Sequence, residues 1–398
     1  IIGGPNIGGN YYTDSVACDN NDYSVVADTD GTPDGIGNAV WTIDTGVTDD
    51  LPLTTATTAC IDADSDGVNS NAECSCNGLD CNDGDASILP PYAGIEITSD
   101  TTFCVGEYEL DDPTENDGSS AAIAVGGNGD VTLDCNGAVL YTSVKGPSTG
   151  GIDLVNGLTN PTTITNCVLK GYSSGITLGP AGFNTGDIHV NECTFNGSNI
   201  AISDGAGGPR LFNISNNVFN TGAVVIQGGR SKTVVDNNLI NSGSVQGYIG
   251  GPFTMTNINV TNNNITGPGW PVTPIFFDQT DGAIITGNIV DSTDGVVAIS
   301  MGSDSANCLI YNNNFTSIWN VGGTDAGTGN VWNIGKTAGT NIIGGSNLGG
   351  NYWSITDATP GCSTVADTDA DGLGNTAYSL GSTSDALPLT SRSVQCVA

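Results

Sequence analysis

Apolar and polar residues alternate in short stretches through the middle of the chain, between residues 131 and 321. Each stretch has a strand-like run, then Asn-Asn or Asn-Cys, then a second run and a Gly-, Ser- or Thr-rich turn, and successive stretches are roughly 22 to 27 residues apart. The copies are VTLDCNGAVLYT (131–142), TTITNCVLKGYSSGITL (162–178), IHVNECTFNGSNIAIS (188–203), FNISNNVFNTGAVVIQ (212–227), VVDNNLINSGSVQGYI (234–249), INVTNNNITGP (258–268), AIITGNIVDSTDGVVAIS (283–300) and CLIYNNNFTSIWNV (308–321). A period of two predicts β-strands with one buried and one hydrated face, and no stretch has a helical period.

This repeat predicts an all-β fold, a right-handed parallel β-helix over residues 93–341. One coil cannot bury its apolar face alone, so each coil stacks on the next. Asparagine at the recurrent corner tolerates the left-handed backbone of a tight turn, and stacked Asn side chains can hydrogen-bond along a ladder. Cys167 and Cys193 fall at this corner in consecutive coils, where a disulfide can join neighbouring coils.

The two ends of the chain repeat each other. IIGGPNIGGNYY (1–12) matches IIGGSNLGGNYW (342–353), and DDLPLTTATTAC (49–60) matches DALPLTSRSVQC (385–396). We therefore divide the chain into four parts: a closing-type module (copy 1, residues 1–59), an Asp/Cys-rich segment that we expect to bind calcium (60–92), the β-helix (93–341) and a second closing-type module (copy 2, 342–398). Two explanations stay open: a head-to-tail assembling subunit or unit of a tandem array, and a duplication that places matching caps at both ends.

The cysteine content indicates export. Twelve cysteines with a single histidine favour disulfides in an oxidising compartment over zinc or redox catalysis. No apolar run approaches the ~20 residues that span a bilayer. The opening IIGGPNIGGN lacks the basic region of a signal peptide, so we expect a mature or trimmed form of a secreted protein. The equivalent positions of the end modules predict Cys18–Cys60 and Cys362–Cys396, and Cys104–Cys135 is a further candidate pair. Partners for Cys74, Cys76, Cys81 and Cys308 stay open.

Charge and one motif predict a metal. Lys and Arg total 7 against 42 Asp and Glu, a net charge of −35 that repels nucleic acid and anionic lipid and attracts divalent cations. In CIDADSDGVNSNAEC (60–74), Asp62, Asp64, Asp66 and Glu73 follow the D-x-D-x-D-G-x5-E pattern of a calcium loop. The flanks are rich in Thr, Cys and Gly instead of helix formers, which argues against an EF-hand. Oxygen ligands favour Ca²⁺, and we expect it to be structural.

Two resemblances extend this interpretation. The start of the coil resembles right-handed β-helix domains of carbohydrate-binding, sugar-hydrolase and copper-site-maturation families and of microbial surface proteins, on the residues TTFCVGEYELDD and AIAVGGNGDVTLDCNGAVL. The C-terminal segment resembles the closing module of those surface proteins, on the residues GGNYW…DTDADGLGNTAYSL…LPL. Residues 60–91 resemble thrombospondin-type calcium repeats, which implies the additional ligands Asp80, Asn82, Asp83 and Asp85. The acid clusters of the end modules are further calcium candidates, at Asp367, Asp369 and Asp371 and at Asp28, Asp30 and Asp34. With one histidine, two methionines and no paired ligand motif, the copper association does not carry over.

A search for catalytic residues finds no convincing set. Arg230-Ser-Lys232 resembles the Arg-x-Lys pair of polygalacturonases, but His189 lacks the flanking glycines of their Gly-His-Gly segment. Four acids could pair across coils, although solvated turns explain them as well: Asp278, Asp281, Asp291 and Asp294. The sequence therefore predicts that the protein is not an enzyme.

Surface features complete the hypothesis. Five glycosylation sequons fall in the coil, at Asn196, Asn213, Asn259, Asn264 and Asn314. Four aromatic residues are candidates for a sugar groove or for core packing: Trp270, Phe276, Phe277 and Trp319. We predict an extracellular structural protein, a self-assembling subunit of a microbial surface filament, sheath or layer, with its own copies as head-to-tail partners and surface glycans as possible ligands. The alternatives are a β-helix polysaccharide lyase or glycoside hydrolase, and a monomeric adhesin or glycan-binding module.

Overall fold

The described part of the chain consists of strands and turns. The computed structural model describes residues 41–44, 47–49, 81–82, 84–111, 121–127, 129–143, 150–154, 160–178, 186–203, 211–227, 232–248, 254–267, 272–322, 328–355, 365–380 and 383–390. None of these residues lies in a helix. They divide into a first unit, within residues 1–92 and 102–104, and a second unit, within 93–101 and 105–398.

The strands are short. In chain order, the first eighteen are β1 Trp41–Asp44, β2 Val47–Asp49, β3 Ile88–Leu89, β4 Ile95–Ile97, β5 Thr101–Phe103, β6 Glu107–Glu109, β7 Ala121–Val125, β8 Val131–Asp134, β9 Val139–Tyr141, β10 Gly150–Leu154, β11 Thr162–Thr165, β12 Val168–Lys170, β13 Ser174–Leu178, β14 Ile188–Asn191, β15 Thr194–Asn196, β16 Asn199–Ser203, β17 Leu211–Ser215 and β18 Val218–Gln227. The others are β19 Lys232–Asp236, β20 Leu239–Ile240, β21 Gly243–Tyr248, β22 Met255–Thr256, β23 Ile258–Thr261, β24 Asn264–Thr266, β25 Ile275–Phe277, β26 Thr280–Asp281, β27 Ile284–Thr286, β28 Ile289–Met301, β29 Leu309–Tyr311, β30 Asn314–Gly322, β31 Thr337–Ala338, β32 Asn347–Leu348, β33 Tyr352–Ile355, β34 Tyr378–Leu380 and β35 Thr383–Asp385.

In the first unit, two strand pairs are described. Strands β1 and β2 form an antiparallel hairpin that pairs Trp41 with Asp49. Strands β3 and β5 pair in parallel, with Leu89 opposite Phe103. A disulfide joins Cys81 and Cys104, whose Cα atoms are 6.0 Å apart.

The second unit is a parallel β-solenoid with three strands in each full rung. In one rung, β11 pairs with β8 and β14, β12 with β9 and β15, and β13 with β10 and β16, always in parallel. The same three pairings continue along the coil to β29 and β30. The predicted parallel β-helix is therefore confirmed.

Stacked aliphatic and aromatic side chains fill the interior, one column for each face. The first column is Leu133, Ile164, Val190, Ile214, Val235, Val260, Ile285 and Ile310; the second is Leu140, Leu169, Phe195, Phe219, Ile240, Ile265, Val290 and Phe315; the third is Ile123, Ile152, Ile176, Ile200, Val224, Val245, Ile275 and Ile299. All are fully buried, and burial of each such side chain contributes about 1.5–3 kcal/mol. The alternation in the sequence therefore arises because every second residue of each strand enters these columns.

The corner between the first and second faces explains the recurrent asparagines. A left-handed residue occupies it in successive rungs: Asn136, Asn166, Glu192, Asn216, Asn237, Asn262, Gly287 and Asn312. The φ of the six asparagines lies between 49° and 58°, a region in which Asn is tolerated better than most residues. Except in the first rung, where the exposed Gly137 follows Asn136, the residue after this corner points inward. In the Asn-Asn pairs the first Asn therefore makes the turn and the second is buried.

The disulfides of the coil differ from two expected pairings. Cys135 bonds to Cys167, with a Cα separation of 4.7 Å, and Cys193 is a buried free thiol. The expected Cys104–Cys135 pair is wrong because Cys104 bonds to Cys81. The expected Cys167–Cys193 link is also wrong, because Cys167 has a cysteine on each side and bonds to the earlier one. Cys308 is likewise a buried free thiol. The predicted pairs of Cys18, Cys60, Cys362 and Cys396 lie outside the described residues.

The described part of copy 2 continues the coil and then covers its last rung. Strand β33 pairs in parallel with β30, and Trp353 stacks on Phe315 with ring centroids 4.9 Å apart. Tyr378, from the hairpin β34–β35, stacks on the other side of Trp353 at 5.1 Å. This hairpin pairs Tyr378 with Asp385. In the sequence repeat these two residues correspond to Trp41 and Asp49, which pair in the same way in β1–β2.

Candidate functional site

A ladder of six buried asparagines runs along the corner of the coil: Asn217, Asn238, Asn263, Asn288, Asn313 and Asn351. Asn263 shows the pattern. Its Oδ1 accepts the backbone N–H of Asn238 at 3.0 Å, and its Nδ2 donates to the carbonyls of Val235 (2.8 Å) and Thr261 (2.9 Å) and to Oδ1 of Asn288 (3.0 Å). The amide side chain thus satisfies backbone groups that face the interior, where an unpaired polar group is costly.

The ladder ends on a buried carboxylate. Oδ2 of Asp385 accepts the backbone N–H of Asn351 at 2.7 Å and the indole N–H of Trp353 at 2.9 Å, and Oδ1 accepts the N–H of Leu387 at 3.1 Å. Burial raises the pKa of Asp385 to about 6, and these hydrogen bonds oppose the rise. A carboxylate suits this position because it accepts several N–H groups and has no donor to satisfy.

The opposite end of the ladder is a thiol. Asn217 Oδ1 accepts the backbone N–H of Cys193 at 2.9 Å, and Cys193 Sγ accepts the N–H of Cys167 at 3.4 Å. The thiol can donate to the carbonyl of Asn191 at 3.3 Å, as the ladder amides donate to the residue two positions before them. Cys193 therefore occupies a ladder position.

One acid cluster is described in full. Ligand-type oxygens of Asp367, Asp369 and Asp371 lie within 4.8 Å of one another. Asp367 accepts the N–H groups of Asp371 (3.2 Å) and Gly372 (2.8 Å), and Asp371 forms an ion pair with Lys336. The pKa of Asp371 is lowered, first of all by the Lys336 hydrogen bond. Lys336 and backbone N–H groups therefore bind two of the three carboxylates, Asp371 and Asp367.

The other predicted metal ligands are mostly outside the described residues. These are Asp28, Asp30, Asp34, Asp62, Asp64, Asp66, Glu73, Asp80 and Asp83. Asp85 is exposed, and its Oδ1 accepts the hydroxyl of Ser87 at 2.6 Å and the N–H of Ser87 at 3.1 Å. Asn82 is also exposed, and its carbonyl accepts the N–H groups of Gly84 and Asp85 in a tight turn.

The candidate catalytic residues are not brought together. His189 lies on β14 between Thr163 and Asn213, with Nδ1 3.4 Å from Asn213 Nδ2. Lys232 is exposed at the start of β19, and Arg230 lies outside the described residues. Asp278 accepts the N–H of the adjacent Gln279, and Asp281 accepts the side-chain amide of Asn307 from the next rung. Asp291 has a buried Oδ1 without a hydrogen-bond partner, and the side chain of Asp294 is not described.

Two carboxylates were missed from the sequence. Asp153 has a buried Oδ1 without a hydrogen-bond partner, and burial raises its pKa to about 6. Its neighbours in register are Ala124 and Thr177, which do not titrate. Asp385 is the other, and the repeated DDLPL and DALPL segments were a signal that could have identified it.

The predicted sequons differ in exposure. The Asn264 side chain is exposed, whereas Asn314 has a buried Oδ1. Asn196, Asn213 and Asn259 are half-buried on outward strand positions. Of the aromatic candidates, Phe277 is fully buried, so it packs in the core and cannot line a groove, and Phe276 is half-buried. Trp270 lies outside the described residues, and the side chain of Trp319 is not described.

The sequence profile of a protein family matches most of this coil. The family is described as "Periplasmic copper-binding protein (NosD)", and the match covers residues 130–358. The chain belongs to the NosD family. Searches among curated proteins and among solved structures found no match to the chain.

The family match confirms the predicted location outside the cytoplasm, because its description names a periplasmic protein. The described residues of this NosD-family chain include no helix that is both long and apolar enough to cross a membrane. The match also corrects the predicted cofactor. Calcium is wrong as the expected metal, because the family description names copper and nothing in the comparison supports calcium.

The described residues of this NosD-family chain do not fit copper either. Copper prefers imidazole, thiolate and thioether ligands. Among the described residues, the only His/Cys/Asp/Glu group of three or more with metal-ligand spacing is the Asp367 cluster, which offers oxygen atoms alone. Met255 and Met301 are buried, and the free Cys193 and Cys308 are buried in corners of different rungs.

Proposed function

We propose that this NosD-family chain is a structural protein of the extracytoplasmic surface, a rigid β-solenoid subunit that assembles head to tail with copies of itself. The observation that carries the proposal is the continuous interior: three apolar columns and an asparagine ladder that ends on Asp385. Such an interior gives the coil a fixed length and stiffness, which suits a building block.

The end modules supply the route to assembly. The described hairpins of the two modules pair equivalent residues, Trp41 with Asp49 and Tyr378 with Asp385. Copy 2 covers the last rung of the coil in its own chain, through Trp353 and Asp385. We propose that copy 1 binds a neighbouring subunit. Solenoid ends expose unpaired strand edges, so an end-binding module gives assembly a physical basis.

A polysaccharide-cleaving enzyme is the second candidate, and one observation favours it. Asp153 has a raised pKa and a buried oxygen without a hydrogen-bond partner, as a general acid would. Glycoside hydrolysis needs a second carboxylate at roughly 5–10 Å. The register neighbours of Asp153, Ala124 and Thr177, supply none, so the structural role is better supported.

Self-association of the full chain tests the proposal. We would compare the full chain with a variant lacking residues 1–59, by light scattering over a hundredfold concentration range and by negative-stain electron microscopy. The expected result is concentration-dependent filaments or sheets for the full chain and monomers for the truncated chain, with the β-sheet circular dichroism of the coil unchanged. Monomeric full-length protein at all concentrations would overturn the proposal, and polysaccharide-cleavage assays of Asp153→Asn would then follow.

A further inference from the structure

We propose that Cys167 is a disulfide-exchange site with two alternative partners, and that Cys193 is a reserve thiol to which the Cys135–Cys167 disulfide can move by one rung. Three cysteines occupy this corner in consecutive rungs, and in the structure two of them are bonded. The inference concerns this internal site and does not depend on the assembly of subunits.

The backbone geometry allows either pairing. Val168 is in register with Val139 on one side and with Thr194 on the other, so Cys167 and Cys193 occupy equivalent places in adjacent strands. Adjacent strands are about 4.8 Å apart, and disulfides join Cα atoms that are about 4.4–6.8 Å apart. The existing bond joins Cys167 to Cys135, which is offset by one residue from the equivalent position, and its Cα separation of 4.7 Å shows that neighbouring rungs at this corner are close enough for a disulfide.

The sulfur atom of Cys193 lies against Cys167. Cys193 Sγ accepts the backbone N–H of Cys167 at 3.4 Å, which places this sulfur directly against the residue whose disulfide it would attack. The thiol hydrogen bond to the carbonyl of Asn191 (3.3 Å) and the longer contact to that of Ile164 (3.9 Å) would break in the exchange.

The exchange needs no external oxidant or reductant. Cys193 loses its proton and the thiolate attacks Sγ of Cys167; the Cys135–Cys167 bond breaks, and Cys135 leaves as a thiolate that takes up a proton. One disulfide and one thiol are present before and after the step. The sequence separations of the alternatives are similar, 32 residues for Cys135–Cys167 and 26 for Cys167–Cys193, so loop entropy hardly distinguishes them.

Burial controls when the exchange happens. Burial raises the pKa of Cys193 to about 12, so in the closed coil the thiol stays protonated and unreactive. Opening of this corner, during folding or by a local fluctuation, exposes the thiol and lets it ionise. The closed structure therefore keeps the disulfide in one position, and the open structure lets it move.

A Cys135→Ser variant tests the proposal directly. It would be expressed as the full chain, refolded with oxidised and reduced glutathione, quenched with acid, and mapped by mass spectrometry of a non-reduced digest. We expect a Cys167–Cys193 disulfide in most molecules, whereas the matched Cys193→Ser control keeps Cys135–Cys167. If Cys167 and Cys193 are both alkylated as free thiols in Cys135→Ser, or if either pairs with another cysteine, the proposal is wrong.

A second measurement covers the case in which Cys135→Ser does not fold. The wild-type chain would be held in glutathione redox buffer at a urea concentration that opens the corner, then quenched and mapped. We expect both isomers, with Cys167–Cys193 in at least a tenth of the molecules, and a return to Cys135–Cys167 after urea is removed. Detection of Cys135–Cys167 alone throughout would overturn the proposal.

Discussion

The carboxylate of Asp385 accepts the backbone N–H of Asn351 at 2.7 Å and so terminates the asparagine ladder. Each of the six preceding rungs uses an Asn amide at this place, whose Nδ2 must find acceptors in the next rung. Above its pKa of about 6, Asp385 needs none, because an ionised carboxylate only accepts hydrogen bonds. The last rung can therefore end inside the protein without an orphaned donor.

Replacement of Asp385 by Ala should destabilise the coil end. The N–H of Asn351 and the indole N–H of Trp353 would lose their buried acceptor, at about 1–3 kcal/mol each. We expect a loss of about 3 kcal/mol in the free energy of unfolding, measured by urea denaturation near pH 4.5. At this pH Asp385 is protonated in the folded protein, so the substitution does not also remove a buried charge, and the carboxyl oxygen still accepts both N–H groups. Asp369→Ala, at an exposed position, is the control and should change stability by less than about 0.5 kcal/mol. Equal effects of the two substitutions would contradict the role of Asp385 as the terminator.

Stability should also depend on pH through Asp385. Its pKa in the folded state is about 6, above the ordinary 3.8, so folding favours the protonated form. The resulting stabilisation is fully present below pH 3.8 and is lost as the pH rises through 6, for a total of about 3 kcal/mol. Relief of charge repulsion on acidification acts in the same direction in every variant.

The comparison of wild type with Asp385→Asn isolates this contribution. Urea denaturation of both proteins between pH 3.5 and 7.5 should give curves that diverge between pH 4 and 6, with the wild type losing more stability as the pH rises. The asparagine keeps one acceptor oxygen but cannot ionise. Parallel curves would show that the pKa of Asp385 is not raised in the folded protein.

The middle of the ladder offers a matched pair of substitutions. Asn263 is buried and makes the four hydrogen bonds described above, whereas the next residue, Asn264, is exposed. Asn263→Ala leaves the Asn238 N–H and the carbonyls of Val235 and Thr261 without their partner, and we expect a loss of about 2–4 kcal/mol. Asn264→Ala should cost less than about 0.5 kcal/mol in protein made without glycosylation. Thermal unfolding checks both, and a ladder that contributes nothing would give equal melting temperatures.

The sequence predicted the coil well because its information is local and repeated. Alternating runs identify the strands, and Asn-Asn identifies the corner, since one position needs a left-handed backbone and the next needs a buried amide. The disulfides were harder to predict. Cys167 has a cysteine in each neighbouring rung, Cys193 at the equivalent position and Cys135 one residue out of register, and spacing along the chain does not say which one it bonds.

The candidate sites were the least predictable part. A D-x-D-x-D-G pattern fits both a metal loop and an acidic turn whose carboxylates bind backbone N–H groups, and Asp367 does the latter in the structure. Asp153 gave no signal, because one acid within GGIDL looks like any outward strand residue. Its raised pKa depends on burial, which only the fold determines.

Exposure should decide which sequons can carry a glycan in a secretory host that glycosylates proteins. Asn264 points outward and is exposed, whereas Asn314 has a buried Oδ1 and is in register with Tyr352 of copy 2. A glycan on Asn314 would prevent β33 from packing on β30, so folded, secreted molecules should lack it. Mass spectrometry of secreted protein should find Asn264 glycosylated and Asn314 unmodified. The matched variants sharpen the comparison: Asn264→Gln should lower the mass by one glycan, and Asn314→Gln should leave the glycan mass unchanged. A glycan on Asn314 in folded protein would show that copy 2 does not cover this rung in solution.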